Sequence, residues 1–129
     1  MLRYAKIISG EPRLTIMHPD QYKELYKNPD KYFDCIVSYS SLEHAGLGRY
    51  GDLLDPWGDL RAMAQLQCIT KPHAAFFVGL ETEKDGTIDE IVWNSHRVYG
   101  PKRLPQFFAN IKVTDSIPPA QFFFGRKVD

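Results

Sequence analysis

Apolar residues along the chain fall into short extended runs separated by helical faces and polar turns. The clearest run is Phe33-Asp34-Cys35-Ile36-Val37-Ser38-Tyr39, which lacks strict alternation and so reads as a strand covered on both faces. Residues 75–80 give a second run of that kind. Two shorter strands are predicted at 2–8 and 14–17, either side of the turn Gly10-Glu11-Pro12-Arg13. A helix opens at Pro19-Asp20-Gln21-Tyr22, sets Tyr22, Leu25 and Tyr26 on one face and closes before Asn28-Pro29. A longer helix starts near Asp59, a good capping residue, carries Leu60, Met63, Ala64, Leu66, Gln67 and Cys68, and ends before Lys71-Pro72. Then come Ile91-Val92-Trp93, a loop over 94–101 and a short helix over 104–109. Strands at 111–117 and 122–128 follow, separated by Pro118-Pro119.

Strand, helix, strand, helix, strand is the order of an α/β fold, a mostly parallel sheet with crossover helices and a C-terminal antiparallel strand pair. Trp93, Phe107, Phe108 and Phe122-Phe123-Phe124 have the spacing of core aromatics. Open sheets of this class carry strands on both sides of their centre, and here one side reads as truncated. An exposed sheet edge invites pairing with another chain, so a homo-oligomer or protein partner is expected there.

Composition narrows the classes. With 129 residues the chain is one domain with one core. Sixteen Lys and Arg balance sixteen Asp and Glu, so the basic excess of a nucleic-acid binder is missing. The basic residues Arg97, Lys102 and Arg103 read as a solvated surface or an anion site. The longest apolar stretch, 74–80, is too short to span a bilayer, and Arg3 and Lys6 interrupt any signal-peptide core. No membrane partner and a cytoplasmic location are therefore expected. Cys35 and Cys68 fall in core-type segments and read as buried free thiols.

From residue 33 to Glu43-His44, and on to Lys71-Pro72, the chain resembles class I S-adenosylmethionine-dependent methyltransferases. In that family a fourth strand ends in a loop often carrying a Glu-His pair, and a helix leads to a Lys-Pro-Gly-Gly turn. More closely, Tyr39-Ser40-Ser41-Leu42-Glu43-His44-Ala45-Gly46-Leu47-Gly48-Arg49-Tyr50-Gly51-Asp52, with His96-Arg97-Val98-Tyr99-Gly100-Pro101, resembles a domain-of-unknown-function family known mainly from nematodes. The match covers most of residues 10–120. It implies a truncated Rossmann-like, methyltransferase-like domain over 1–129 whose N-terminal cofactor-binding half is missing. The family's first strand and glycine-rich loop have no counterpart, and Arg3 stands nearest to where a ribose-binding acid is expected. The turn reads Lys71-Pro72-His73-Ala74, so a positive φ at His73 or Ala74 would cost about 1 kcal/mol. Glu81 follows Leu80, where the resemblance leads to proline.

Gly46-Leu47-Gly48-Arg49-Tyr50-Gly51 formally matches a dinucleotide fingerprint, but Asp52-Leu53-Leu54-Asp55-Pro56 separates it from any helix, so it reads as a surface or lid loop. Glu43 and His44 lie beyond the carboxyl end of a strand, where open parallel sheets bind ligands. They are the catalytic candidates, able to orient a substrate or move a proton. The alternative is that Glu43 caps loop amides while His44 bonds a backbone carbonyl. Asp52, Asp55 and Asp59 with His44 are read as turn and cap residues rather than metal ligands. His96, Arg97 and Tyr99, which the resemblance places on the substrate side, are substrate-binding candidates together with Arg49. Arg97 offers a planar fork for a carboxylate or phosphate; otherwise it pairs with a surface acid and Tyr99 packs as a lid. The first expectation is a methyltransferase-like half-domain inactive on its own, with no cofactor. The alternatives are an S-adenosylmethionine-dependent methyltransferase acting on a small molecule, and a small anion-binding module.

Overall fold

Proline and glycine set most of the boundaries. In the computed structural model, residues 10–83, 85, 87–117 and 121–129 are described; the strand expected at 2–8 and the Pro118-Pro119 turn lie outside them. A 3-10 turn at Pro19–Gln21 runs into helix α1 (Tyr22–Tyr26), which buries Leu25 and ends before Pro29. Strand β1 (Phe33–Tyr39), helix α2 (Gly58–Cys68) and strand β2 (Thr70–Gly79) follow. A hairpin of β3 (Glu90–Val92) and β4 (His96–Val98) comes next. Helix α3 (Arg103–Phe107) and strands β5 (Ile111–Ile117) and β6 (Phe122–Lys127) complete the chain.

Among the described residues the main sheet has four strands in the order β1-β2-β6-β5. β1 and β2 are parallel and joined by the α2 crossover, whereas β6 runs antiparallel to both β2 and β5. The expected C-terminal antiparallel pair is present, but the described sheet is mixed rather than mostly parallel. β1 forms one edge.

All the long apolar packing is on one face. Ala74, Phe76, Val78 and Leu80 of β2 and the segment just after it meet Met63 of α2 with Tyr99, Phe107, Phe108, Ile111 and Phe123. Phe107 stands edge-on to Phe108, and Phe108 lies 5.1 Å from Phe123. Among the described residues the opposite face is open, and this overturns the expectation that β1 is covered on both faces: Val37 is 77% exposed and Tyr39 68%.

Other expectations are corrected on similar grounds. Residues 14–17 form no strand, because no ladder partner lies beside them among the described residues, and Leu14 and Ile16 are exposed. Trp93 is exposed, since it sits at the hairpin turn rather than on a core strand. The stretch 94–101 contains β4 instead of being all loop. Cys35 and Cys68 are free as expected but exposed, Cys35 on the open face of the edge strand and Cys68 at the end of α2. No helix among the described residues is long and apolar enough to cross a membrane.

β2 starts five residues earlier than the apolar pattern indicates, because Lys71-Pro72-His73-Ala74 bulges between Thr70, paired with Phe33, and Ala75, paired with Cys35. His73 has φ +60, the strain anticipated for that turn. Its side chain is exposed, so a glycine there loses no packing. His73→Gly is expected to raise the unfolding free energy by up to about 1 kcal/mol, read as a higher urea midpoint at unchanged slope.

Candidate functional site

The polar site lies at the carboxyl end of β1. Ser40 leaves the strand with φ +47, and a single 3-10 turn, Leu42–His44, follows at once. That turn sends Glu43 inward, 1% exposed, while His44 stays partly open. Neither Glu43 side-chain oxygen has a hydrogen-bond partner among the described residues; His44 Nε2 is 3.8 Å from Glu43 Oε1. His44 Nδ1 lies 2.5 Å from the Ser95 carbonyl oxygen, so Nδ1 carries a proton and Nε2 faces the carboxylate. Ser95 also joins its hydroxyl to His96 Nδ1 at 2.8 Å. The His96 and Tyr50 rings flank His44 with centroids at 6.0 and 5.7 Å. Catalytic candidates from one loop and His96 from a distant hairpin thus meet in space. Chemically the arrangement can hold or relay a proton between imidazole and carboxylate.

Beneath this cluster lies a buried ionic network. Arg97, on β4 and 1% exposed, donates from Nη1 to the carbonyl oxygens of Glu43 (3.3 Å) and Ala45 (2.5 Å). Its Nη2 donates to those of Asp55 (3.1 Å) and Pro56 (3.5 Å), while Nε lies 3.5 Å from Asp59 Oδ1. Asp59 is fully buried and accepts from Arg103 Nε (3.0 Å) and Nη2 (2.6 Å) and from the Tyr99 hydroxyl (2.7 Å). Burial alone pushes the Asp59 carboxyl up. The Arg103 and Tyr99 hydrogen bonds and the two guanidinium charges outweigh it and hold the carboxyl below its ordinary value. Burial and then the Asp59 charge push the Tyr99 phenol far up, and the Asp59 hydrogen bond raises Arg103.

Several sequence expectations change here. Asp59 is not a helix cap; it sits inside the first turn of α2, turned into the core. Arg97 and Tyr99 are neither a surface pair nor a lid, and Arg103 is not part of a solvated basic patch. Asp89 accepts the backbone N–H groups of Gly100, Lys102 and Arg103, a cap for the start of α3 that the sequence reading missed. Asp52 binds the Gly46 N–H at 2.6 Å, and Asp55 binds the Trp57 N–H and Arg61. Among the described residues no three His, Cys, Asp or Glu side chains converge as a metal site. Arg49 is exposed on the loop.

The glycine-rich loop is filled by its own chain. Gly46, Gly48 and Gly51 all have positive φ, and a Cβ on Gly46 would overlap the Asp55 carbonyl oxygen. These glycines allow loop and helix start to touch. A separate cleft of about 600 Å³ runs along β1, lined by Leu14, Phe33, Cys35, Ile36, Leu42 and Leu66 among others.

The family model described as "Caenorhabditis protein of unknown function, DUF268" matches residues 6–118. No curated protein matches the chain. Among solved structures, the 1,6-didemethyltoxoflavin-N1-methyltransferase of Burkholderia thailandensis, crystallised with 1,6-didemethyltoxoflavin and S-adenosylhomocysteine, is similar in fold. The TM-score is 0.55 at 16% identity, over 77% of this chain and 45% of the enzyme. The chain therefore has a methyltransferase-like α/β fold and spans less than half the length of that neighbour.

Asp59→Asn should cost about 3 kcal/mol in urea unfolding, because it leaves the buried Arg97 guanidinium and the partly buried Arg103 one uncompensated. The folded carboxyl lies below its unfolded value, so its contribution is full above about pH 4 and is lost as pH falls through the folded value. Wild-type stability should therefore drop more steeply with acid below about pH 4 than that of Asp59→Asn.

Proposed function

Because the chain belongs to the family of Caenorhabditis proteins of unknown function and has a methyltransferase-like fold, we propose that it serves as a methyltransferase-like half-domain with no catalytic activity of its own. The observation that carries this reading is the inward closure of the carboxyl end of the sheet. Arg97, the residue best suited to grip a charged substrate, has its guanidinium buried and both terminal nitrogens bonded to backbone carbonyls. S-adenosylmethionine finds no fitting cradle among the described residues. The glycine turn is packed against residues 55–58, and the acids beside it, Asp52 and Asp55, are bonded to loop amides. The anion-binding alternative loses Arg97 for the same reason and keeps only Arg49.

One observation favours the enzyme reading, an S-adenosylmethionine-dependent methyltransferase acting on a small molecule. Glu43 is a buried carboxylate without a hydrogen-bond partner, set against His44 at the ligand-binding end of the sheet. Buried unsatisfied groups of this kind concentrate at functional sites. In that case Glu43 and His44 would hold or accept a proton, while Arg97 and Tyr99 keep the loop in place and His96 and Arg49 face the substrate.

Calorimetric titration of the folded chain with S-adenosylhomocysteine separates the two. The expected result is no binding tighter than about 100 μM, roughly −5.5 kcal/mol. Tighter binding would install the enzyme reading, and Glu43→Gln should then abolish methyl transfer while the circular dichroism spectrum is kept.

A further inference from the structure

Among the described residues the sheet has a second face that no helix covers. The strand registers arrange it in three rows across β1, β2, β6 and β5. These are Cys35, Ala75, Arg126 and Lys112; then Val37, Phe77, Phe124 and Asp115; then Tyr39, Gly79, Phe122 and Ile117. Val37 (77%), Tyr39 (68%), Ile117 (50%), Phe122 (41%) and Phe77 (39%) are all exposed. The patch is preorganised. Tyr39 stacks on Phe122 at 5.4 Å with 4° between the rings, above Gly79, where any Cβ would collide with Tyr39. Phe77 stands edge-on to Phe124 at 4.9 Å.

We propose that this face is a homodimer interface, in which two copies stack their open sheet faces about a two-fold axis running parallel to the strands between β2 and β6. Such an axis exchanges β2 with β6 and β1 with β5, so each residue meets its row partner from the second copy. Phe77 then lies over Phe124, Tyr39 over Ile117, Val37 over Asp115, Phe122 over Gly79, Arg126 over Ala75 and Cys35 over Lys112. Arg126 over Ala75 sets a large side chain against a small one, while Gly79 is already covered by the stacked Tyr39 and Phe122 rings of its own copy, so the centre packs ring against ring between sheets about 10 Å apart. The charged residues occupy the margins, Lys112 and Asp115 on the outer strand β5 and Arg126 in an end row. That leaves an aromatic centre inside a polar rim, the anatomy of stable interfaces.

Area and charge agree with this. Large side chains bury about 150–250 Å² each, so the five exposed ones supply on the order of 500 Å² per copy. With their charged margin they approach the roughly 800 Å² per partner of a standard interface. The chain has a formal net charge of +0, so copies do not repel one another as they approach.

Sedimentation equilibrium of the whole chain up to about 100 μM tests the proposal. A dimer is expected, weakened at least about tenfold by Val37→Asp, which sets a second carboxylate against Asp115 of the other copy, or by Ile117→Lys, with far-UV circular dichroism unchanged. Both positions are at least half exposed, so either variant reads out the interface if the other fails to fold. Leu53→Lys, 89% exposed on the glycine-rich loop, should leave association as it is. A monomer at the highest concentration overturns the proposal and leaves the face to a different protein. So does a dimer that Leu53→Lys weakens and the sheet variants do not.

Discussion

The ion pair between Arg97 and Asp59 is the constraint on which the carboxyl end of the sheet depends. Each charge removed from water costs several kcal/mol, which a bare pair at 3.5 Å does not recover. The surrounding groups offset it. Asp59 gains two contacts from Arg103 and one from Tyr99, and Arg97 gains four carbonyls. Those carbonyls belong to residues 43, 45, 55 and 56, loop positions with no ladder of their own. Without Arg97 the carbonyls of Glu43 and Ala45 would lose that donor in a partly buried setting, while those of Asp55 and Pro56 keep the Gly58 N–H and Arg103 Nη2. One side chain from β4 therefore does for the loop what a strand partner does for a strand. It also explains why the hairpin is pinned to the start of α2, and why Glu43 and Ser95 lie close enough for His44 to face both.

Glycine makes that closure sterically feasible. Gly46 and Gly58 are in near contact, and a Cβ at either would strike the backbone of the other segment. Positive φ at Gly46, Gly48 and Gly51 turns the chain tightly enough to present its carbonyls to Arg97. The spacing that formally resembles a nucleotide fingerprint is thus satisfied by contacts within the chain.

Elements with strong local signals were legible in the sequence. The apolar runs of β1 and β2, the 3.6-residue pattern of α2 and the terminal strand pair all formed, because period and turn chemistry are local properties. So was the strain at His73, which follows from a non-glycine residue in a turn that needs positive φ. The site was legible only as positions. Position placed Glu43 and His44 beyond a strand end and the resemblance placed His96 on the substrate side, but that the three meet was not read from the sequence. Nor were the roles of Asp59 and Arg103, because an aspartate at a helix start reads as a cap and an arginine near lysine reads as surface. Their pairing joins residues 44 positions apart, and nothing local encodes it. Trp93 and the cysteines failed for a related reason: residue type gives a preference for burial, and position in the fold decides it.

The misreading of β1 has a different character. Its near-continuous apolar sequence is the pattern of a strand sealed on both faces, and the same holds for Phe122-Phe123-Phe124 on β6. Within the described chain only one face of each is sealed: Phe76, Val78 and Phe123 are buried against α2 and α3, while Val37, Tyr39, Phe77 and Phe122 stay open. A solvent-facing side would alternate with polar residues, as antiparallel sheets with one wet face do. Here the open face carries Val37, Tyr39, Phe77, Phe122 and Phe124 at its centre, with Lys112, Asp115 and Arg126 only at its margins. Solvation does not select such a surface, whereas apposition to another apolar surface does. The polar groups at the carboxyl end are turned inward and the apolar surplus is turned outward, which places the surface most suited to contact on the sheet face and not at the loops.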